Sequence, residues 1–136
     1  MQITRTAATT STPSSEWVTG TVHVTSIAAA EEAPSRLRID DVRFEPGSRT
    51  HWHRHPEGQF LHITEGTGLM QRRGGPVEVV RAGDRVHIAP GEWHWHGAGP
   101  TTSMTHLAVL TAAEDGTEAE RGEPVTGACY PSEPVV

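Results

Sequence analysis

No segment of this chain repeats its apolar residues with the 3.6-residue period of a helix. Turn residues interrupt it instead about every eight to twelve positions: Glu45-Pro46-Gly47, Pro56-Glu57-Gly58, Glu65-Gly66-Thr67-Gly68, Gly74-Gly75-Pro76, Gly83-Asp84, Ala89-Pro90-Gly91 and Gly97-Ala98-Gly99-Pro100. Runs rich in β-branched or alternating residues lie between and before them. They are Trp17–Val24, Arg36–Phe44, Gln59–Thr64, Leu69–Arg73, Val77–Val80, Arg85–Ile88 and Met104–Leu110. Short strands at this spacing predict an all-β barrel or sandwich. Ala28–Ala33 reads as one helical turn closed by Pro34. The chain of 136 residues suits one domain. The expected parts are a flexible arm over 1–16, a barrel over 17–111, and an acidic tail over 112–136 that is loose or wraps the outside.

Histidines concentrate on two of the expected strands. His51, His53 and His55 alternate, and in an extended strand alternate side chains share a face. All three are therefore expected to look into one space, and the turn at Pro56-Glu57-Gly58 brings Gln59 back toward it. His94 and His96 repeat the pattern. Several imidazoles buried on one face need partners for their ring nitrogens, and a divalent cation supplies one. The candidate ligands are His53, His55, Gln59 and His94, with one metal per chain. Three imidazoles and an amide leave the cation's charge uncompensated, which suits a Lewis acid. Ligand type alone allows Mn, Fe, Co, Ni, Cu or Zn.

Trp52, Trp93 and Trp95 alternate against the histidines and should face outward, under a partner subunit or under the tail. His23, His62 and His87 are expected at the surface or an interface. Arg36, Arg38 and Arg54 are expected in solvent. A formal charge of −6 without a basic run gives no footprint for nucleic acid. With no lysine, Schiff-base chemistry and a P-loop are excluded. The single cysteine, Cys129, cannot form an intramolecular disulfide and reads as an inert or surface thiol. The N-terminus has no apolar core of a signal peptide, and no apolar run nears the roughly 20 residues that span a bilayer. A cytoplasmic protein without membrane contact is expected.

Gly47-x5-His53-x-His55-x3-Gln59-x6-Gly66 resembles the first cupin motif, with Gln at its usual Glu position. Gly83-x5-Ala89-Pro90-Gly91-x2-His94-x3-Ala98 resembles the second, with Ala89 for Pro and Ala98 for Asn. The resemblance implies a double-stranded β-helix (jelly-roll) barrel with a metal inside, in a homodimer or homotetramer. Phe44-Glu-Pro-Gly47, Trp52-His-x-His-Pro-x-Gly-Gln59, Pro90-Gly-Glu-x-His94-Trp-His96-Gly97 and Pro100-Thr-Thr-x-Met104-Thr-His106-Leu-Ala108 are similar to the small carboxymuconolactone decarboxylase-like cupins. That group includes manganese-dependent hydroxynitrile lyases. The likeness implies manganese on His53, His55, Gln59 and His94, and an acid/base or cyanide-facing role for His106.

His106 shares a face with Met104, Ala108 and Leu110, so it is either a core histidine or a general base. His96 is expected nearer the barrel mouth. His51 stands where such lyases tend to carry a small residue, and is expected to crowd the site or act as a base. Asp40 and Leu110 are expected to face the pocket and change substrate choice. The catalytic candidates are thus His106, His51, Asp40 and His96. The expected chemistry is of lyase or isomerase type on a small hydroxyl- or carbonyl-containing substrate. The alternatives are a metal-dependent dioxygenase or oxidoreductase, and a non-catalytic binding module.

Overall fold

The computed structural model describes residues 1–30 and 34–135. Residues 31–33 of the expected helical turn at 28–33 lie outside them, and Ala28 itself ends a strand. Twelve strands follow in order: β1 (Thr10–Ser11), β2 (Val18–Thr19), β3 (Val22–Ala28), β4 (Leu37–Phe44), β5 (Arg49–Thr50), β6 (His53–Arg54), β7 (Gln59–Arg72), β8 (Glu78–Arg81), β9 (Arg85–Ile88), β10 (His94–Ala98), β11 (Met104–Thr111) and β12 (Glu120–Arg121). Among the described residues a single 3-10 turn, Pro34–Arg36, precedes β4. No helix among the described residues is long and apolar enough to cross a membrane.

The strands form one curled antiparallel sheet with the order β1-β3-β4-β11-β7-β10-β5-β2. Strand β7 is its spine. Its first half pairs with β11 and β9, and its second half with β10 and β8. Two strands broken at Glu65–Gly68 were expected here, and the structure has a single strand of 14 residues. Gly66 bends the strand without ending it. It has φ +77°, and a Cβ there would meet the Ser103 carbonyl oxygen at 2.0 Å. Beside it the β7–β11 register slips by one residue at Thr105/His106, a bulge that sharpens the curl.

The barrel interior is filled by Val22, Val42, Phe44, Leu61, Ile63, Met70, Ile88 and Met104. A second apolar layer lies outside the sheet. There Trp52, Leu69, Trp95 and Val125 are buried together, with Trp93, Cys129 and Tyr130 packed against them. The tail therefore covers the indoles. Arg49 donates to the Val125 carbonyl at 2.7 Å and stacks on Tyr130 at 4.2 Å. The Tyr130 hydroxyl donates to the Ala98 carbonyl at 2.8 Å.

Candidate metal centre and cavity

Strand β10 presents His94 and His96 to the interior, and every residue of the strand is buried. β6 sets His53 against His94 as a direct antiparallel pair. The chain then turns through Gly58, whose φ is +79° and whose Cβ would meet the Ile88 carbonyl oxygen at 2.6 Å. Only glycine fits that approach, and the turn delivers buried Gln59 at the start of β7.

Five imidazoles make a continuous set. His53 lies at its centre, with ring centroids 4.2 Å from His94, 5.0 Å from His55 and 5.1 Å from His96. His106 joins through His96 at 4.9 Å. Three of the rings share one feature. His53 Nδ1 lies 2.8 Å from the His51 carbonyl, His55 Nδ1 2.9 Å from that of Glu118, and His94 Nδ1 2.9 Å from that of Glu92. A carbonyl only accepts, so each Nδ1 carries the proton and each Nε2 keeps its lone pair. The Nε2 atoms of His55 and His94 and the Oε1 of Gln59 are buried without a partner.

Such orphaned acceptors are rare unless something else satisfies them, and a divalent cation fits the set. Three buried histidines, His53, His94 and His96, bring their ligand atoms within 4.8 Å of one another and could hold a metal ion.

Burial keeps these rings neutral. It lowers His53 well below the ordinary imidazole value, aided by the His94 and His55 rings, and pushes His94 down to about 4. It also lowers His55, against the raising effect of the Glu118 carbonyl. His106 is pushed down to about 4 by burial, and His96 is lowered well below its usual range by burial and by His106. Between them, His106 Nε2 and His96 Nδ1 are 3.1 Å apart. One proton serves that contact, so the tautomers are coupled: a proton on His96 Nδ1 leaves His96 Nε2 free and places the His106 proton on Nδ1.

His53, His96 and His106 line a cavity of about 210 Å³ together with Val22, Val24, Val42, Phe44, Ala108, Asp40 and Gln59. Trp17, Asp40, His53 and Gln59 also line a wider mouth, so the two spaces adjoin. His55, Arg38, Leu110 and Glu118 complete that mouth. Asp40 Oδ2 accepts from Arg38 Nε at 2.8 Å, and its buried Oδ1 has no partner.

The structure thus brings together His53, His55, Gln59, His94, His96, His106, Asp40 and Leu110. It leaves out His51, which is buried but lines neither space and makes no ring contact with the other histidines. Its surroundings are the Glu16 backbone, Arg121 and Arg49, and burial lowers its pKa. The reason is a bulge. Three residues lie between Arg49 and His53, whereas two lie between their partners Gly97 and His94. The extra residue breaks the alternation, so Thr50 and His53 both line the cavity.

Arg38 is a second correction. Expected in solvent, it reaches the mouth between Asp40 and Glu118. Its alternation with Asp40, Val42 and Phe44 carried that signal. Nothing local announced Glu118. His62 and His87 are exposed, and His23 is half-exposed beside Glu45 at 3.2 Å.

The cupin domain family matches residues 41–110. This chain belongs to the cupin family. It is 48% identical to an (R)-mandelonitrile lyase from Granulicella tundricola over 115 residues, 85% of this chain and 86% of that one. A cupin-like protein from Thermotoga maritima superposes with a TM-score of 0.83 at 36% identity, covering 98% of this chain and all of the other. A predicted oxalate decarboxylase from the same organism superposes at 0.71 with 23% identity over 83% of this chain and all of that one, a likeness of fold alone. This is therefore a small cupin resembling hydroxynitrile lyases.

Proposed function

We propose that this cupin is a manganese-dependent lyase that cleaves a small cyanohydrin-like substrate. The observation that carries the proposal is the set of three imidazoles with Nδ1 tied to main-chain carbonyls, one of which, His53, lines an apolar cavity together with the His96–His106 pair. The identity to a mandelonitrile lyase supports it. His53, His55, Gln59 and His94 would hold the cation. When bound, it supplies a Lewis acid that stabilises negative charge on a substrate oxygen.

The chain's own groups do the rest. A cavity of about 150 Å³ accommodates benzene, so the space here suits a ring-sized apolar body. Neutral His106 takes the hydroxyl proton as the carbon–carbon bond to the nitrile breaks. The coupled His96 contact lets that proton pass to the departing cyanide, which leaves with the bonding electrons. Asp40, steadied by Arg38, presents a free carboxylate oxygen to the substrate and selects one carrying a hydrogen-bond donor.

Ile39, Val109 and Phe60 stand in one row across β4, β11 and β7 on the outside of the sheet, with Phe60 42% exposed. A second copy covering this row would give the homodimer, which light scattering measures.

The test is elemental analysis of the protein as isolated, followed by cleavage of mandelonitrile under air and under argon. Metal near one per chain with equal turnover in both atmospheres is the expected result. Turnover of an electron-rich aromatic that requires air would replace the lyase with an oxygenase. Bound metal without turnover of either would leave a binding module.

A further inference from the structure

We infer that residues 117–123 of the tail are a positioning strap for the metal centre, holding His55 in the tautomer and orientation that a cation needs. This rests on the reading of His53, His55, Gln59 and His94 as ligands. His53 and His94 each take their Nδ1 partner from a carbonyl two residues away, so local strand geometry supplies it. His55 takes its partner from Glu118, 63 residues on. Of the three anchored imidazoles, His55 alone depends on a distant segment staying in place.

The strap is fastened along its length. Glu120 and Arg121 pair with Arg54 and His53 as β12 against β6. Trp52 N donates to the Glu123 carbonyl at 3.0 Å, and Gly122 N to the Trp52 carbonyl at 2.6 Å. Arg54 meets Glu120 at 2.8 Å, and Arg73 pairs with Glu123. Gly122 lies so close to the indoles that a Cβ would meet the Trp93 ring at 3.0 Å and the Trp52 carbonyl oxygen at 3.2 Å. Val125, only 2% exposed, anchors the far end.

The strap also shapes the entrance. The Glu118 carboxylate forms an ion pair with Arg38 at 3.3 Å across the mouth. Lifting it would hand His55 Nδ1 to water, allow the ring both tautomers, and widen the path by which metal leaves. Each exposed ion pair is individually weak, so steric displacement and charge reversal are stronger levers than neutralisation.

The test uses the full chain with Gly122→Val and, separately, Glu120→Lys with Glu123→Lys. Proteins loaded with Mn²⁺ are mixed with excess chelator and metal release is followed. In the metal-free proteins, nitrogen-15 NMR of the side chains reports each imidazole's tautomer. Both strap variants are expected to release Mn²⁺ about tenfold faster than wild type. In both, His55 is expected to lose its single Nδ1–H form while His53 and His94 keep theirs. Ile63→Val, a buried change away from the strap, should lower the melting temperature and leave release unchanged.

Wild-type release rates in the strap variants would overturn the inference and leave the ligand reading standing. So would acceleration of the same size in Ile63→Val. A wild type that takes up no Mn²⁺ would instead defeat the ligand reading, and an unaltered His55 tautomer in the strap variants would then defeat the strap as well.

Discussion

Through β10, His94 and His96 face the barrel interior while Trp93 and Trp95 pack outside. Through β5 and β6, the same spacing brings His53 inward and leaves His51 beside Glu16 and Arg121. The difference lies in pairing. β10 runs in unbroken register against β7 from His94 to Ala98, so period two holds at every residue. The opposing segment meets β10 at Arg49 and again at His53, with one residue too many between them. His96 N donates to the Thr50 hydroxyl at 3.2 Å inside that gap, where a side chain replaces a main-chain acceptor. Alternation is a property of the ladder, and a histidine keeps its face only while the ladder continues.

Substituting the members of the two segments in turn tests this contrast. His94→Ala and His53→Ala remove the two imidazoles that face each other across the ladder. Each should reduce bound metal to a trace and abolish turnover, as elemental analysis and the cleavage assay would show. Retention of a full equivalent in either would break the proposed site.

His106→Ala should keep the metal and lose about 10²- to 10⁴-fold in kcat, the usual worth of a positioned acid or base. Unchanged kcat would return His106 to the core and separate the proton path from the His96 contact.

Acid sharpens the contrast without mutation. In metal-free protein, His94 and His106 are held neutral with pKa values near 4, below the ordinary 6.5 they regain on unfolding. The unfolded chain therefore binds more protons, and stability present above pH 6.5 is lost as pH falls through about 4. Each ring withdraws on the order of 3 kcal/mol across that window. Denaturant titrations at pH 7 and pH 4.5 measure the loss. Equal midpoints would mean that the rings are not buried neutral.

His51→Ala should be the mildest change. Metal stoichiometry and kcat should stay within about twofold of wild type, with a modest fall in melting temperature. A large loss of metal would place His51 back in the site and dissolve the difference between the two segments.

Much of the site is legible from local pattern. The spacing of His53, His55, Gln59 and His94 marks a candidate cation set, and Met104, His106, Ala108 and Leu110 read as one face of a final strand. Their burial or cavity lining follows that phase. Arg38 was legible too, in phase with Asp40, Val42 and Phe44. The general habit of arginines to sit in solvent outweighed a local signal that was correct. The tail was legible only as composition. Its acidic residues mark a solvated segment, and Glu120 and Glu123 do pair with arginines at the surface. Val125 and Tyr130 are what bind it to the tryptophans.

The sequence by itself determined the β class of the fold and the parity of each strand, because both depend on residues within a few positions of one another. Tertiary structure alone decided that β7 bends at Gly66 and continues, that one extra residue opposite β10 removes His51 from the cluster, and that the Glu118 carbonyl reaches His55. Those outcomes depend on register and contact between segments dozens of residues apart, and no local period encodes them.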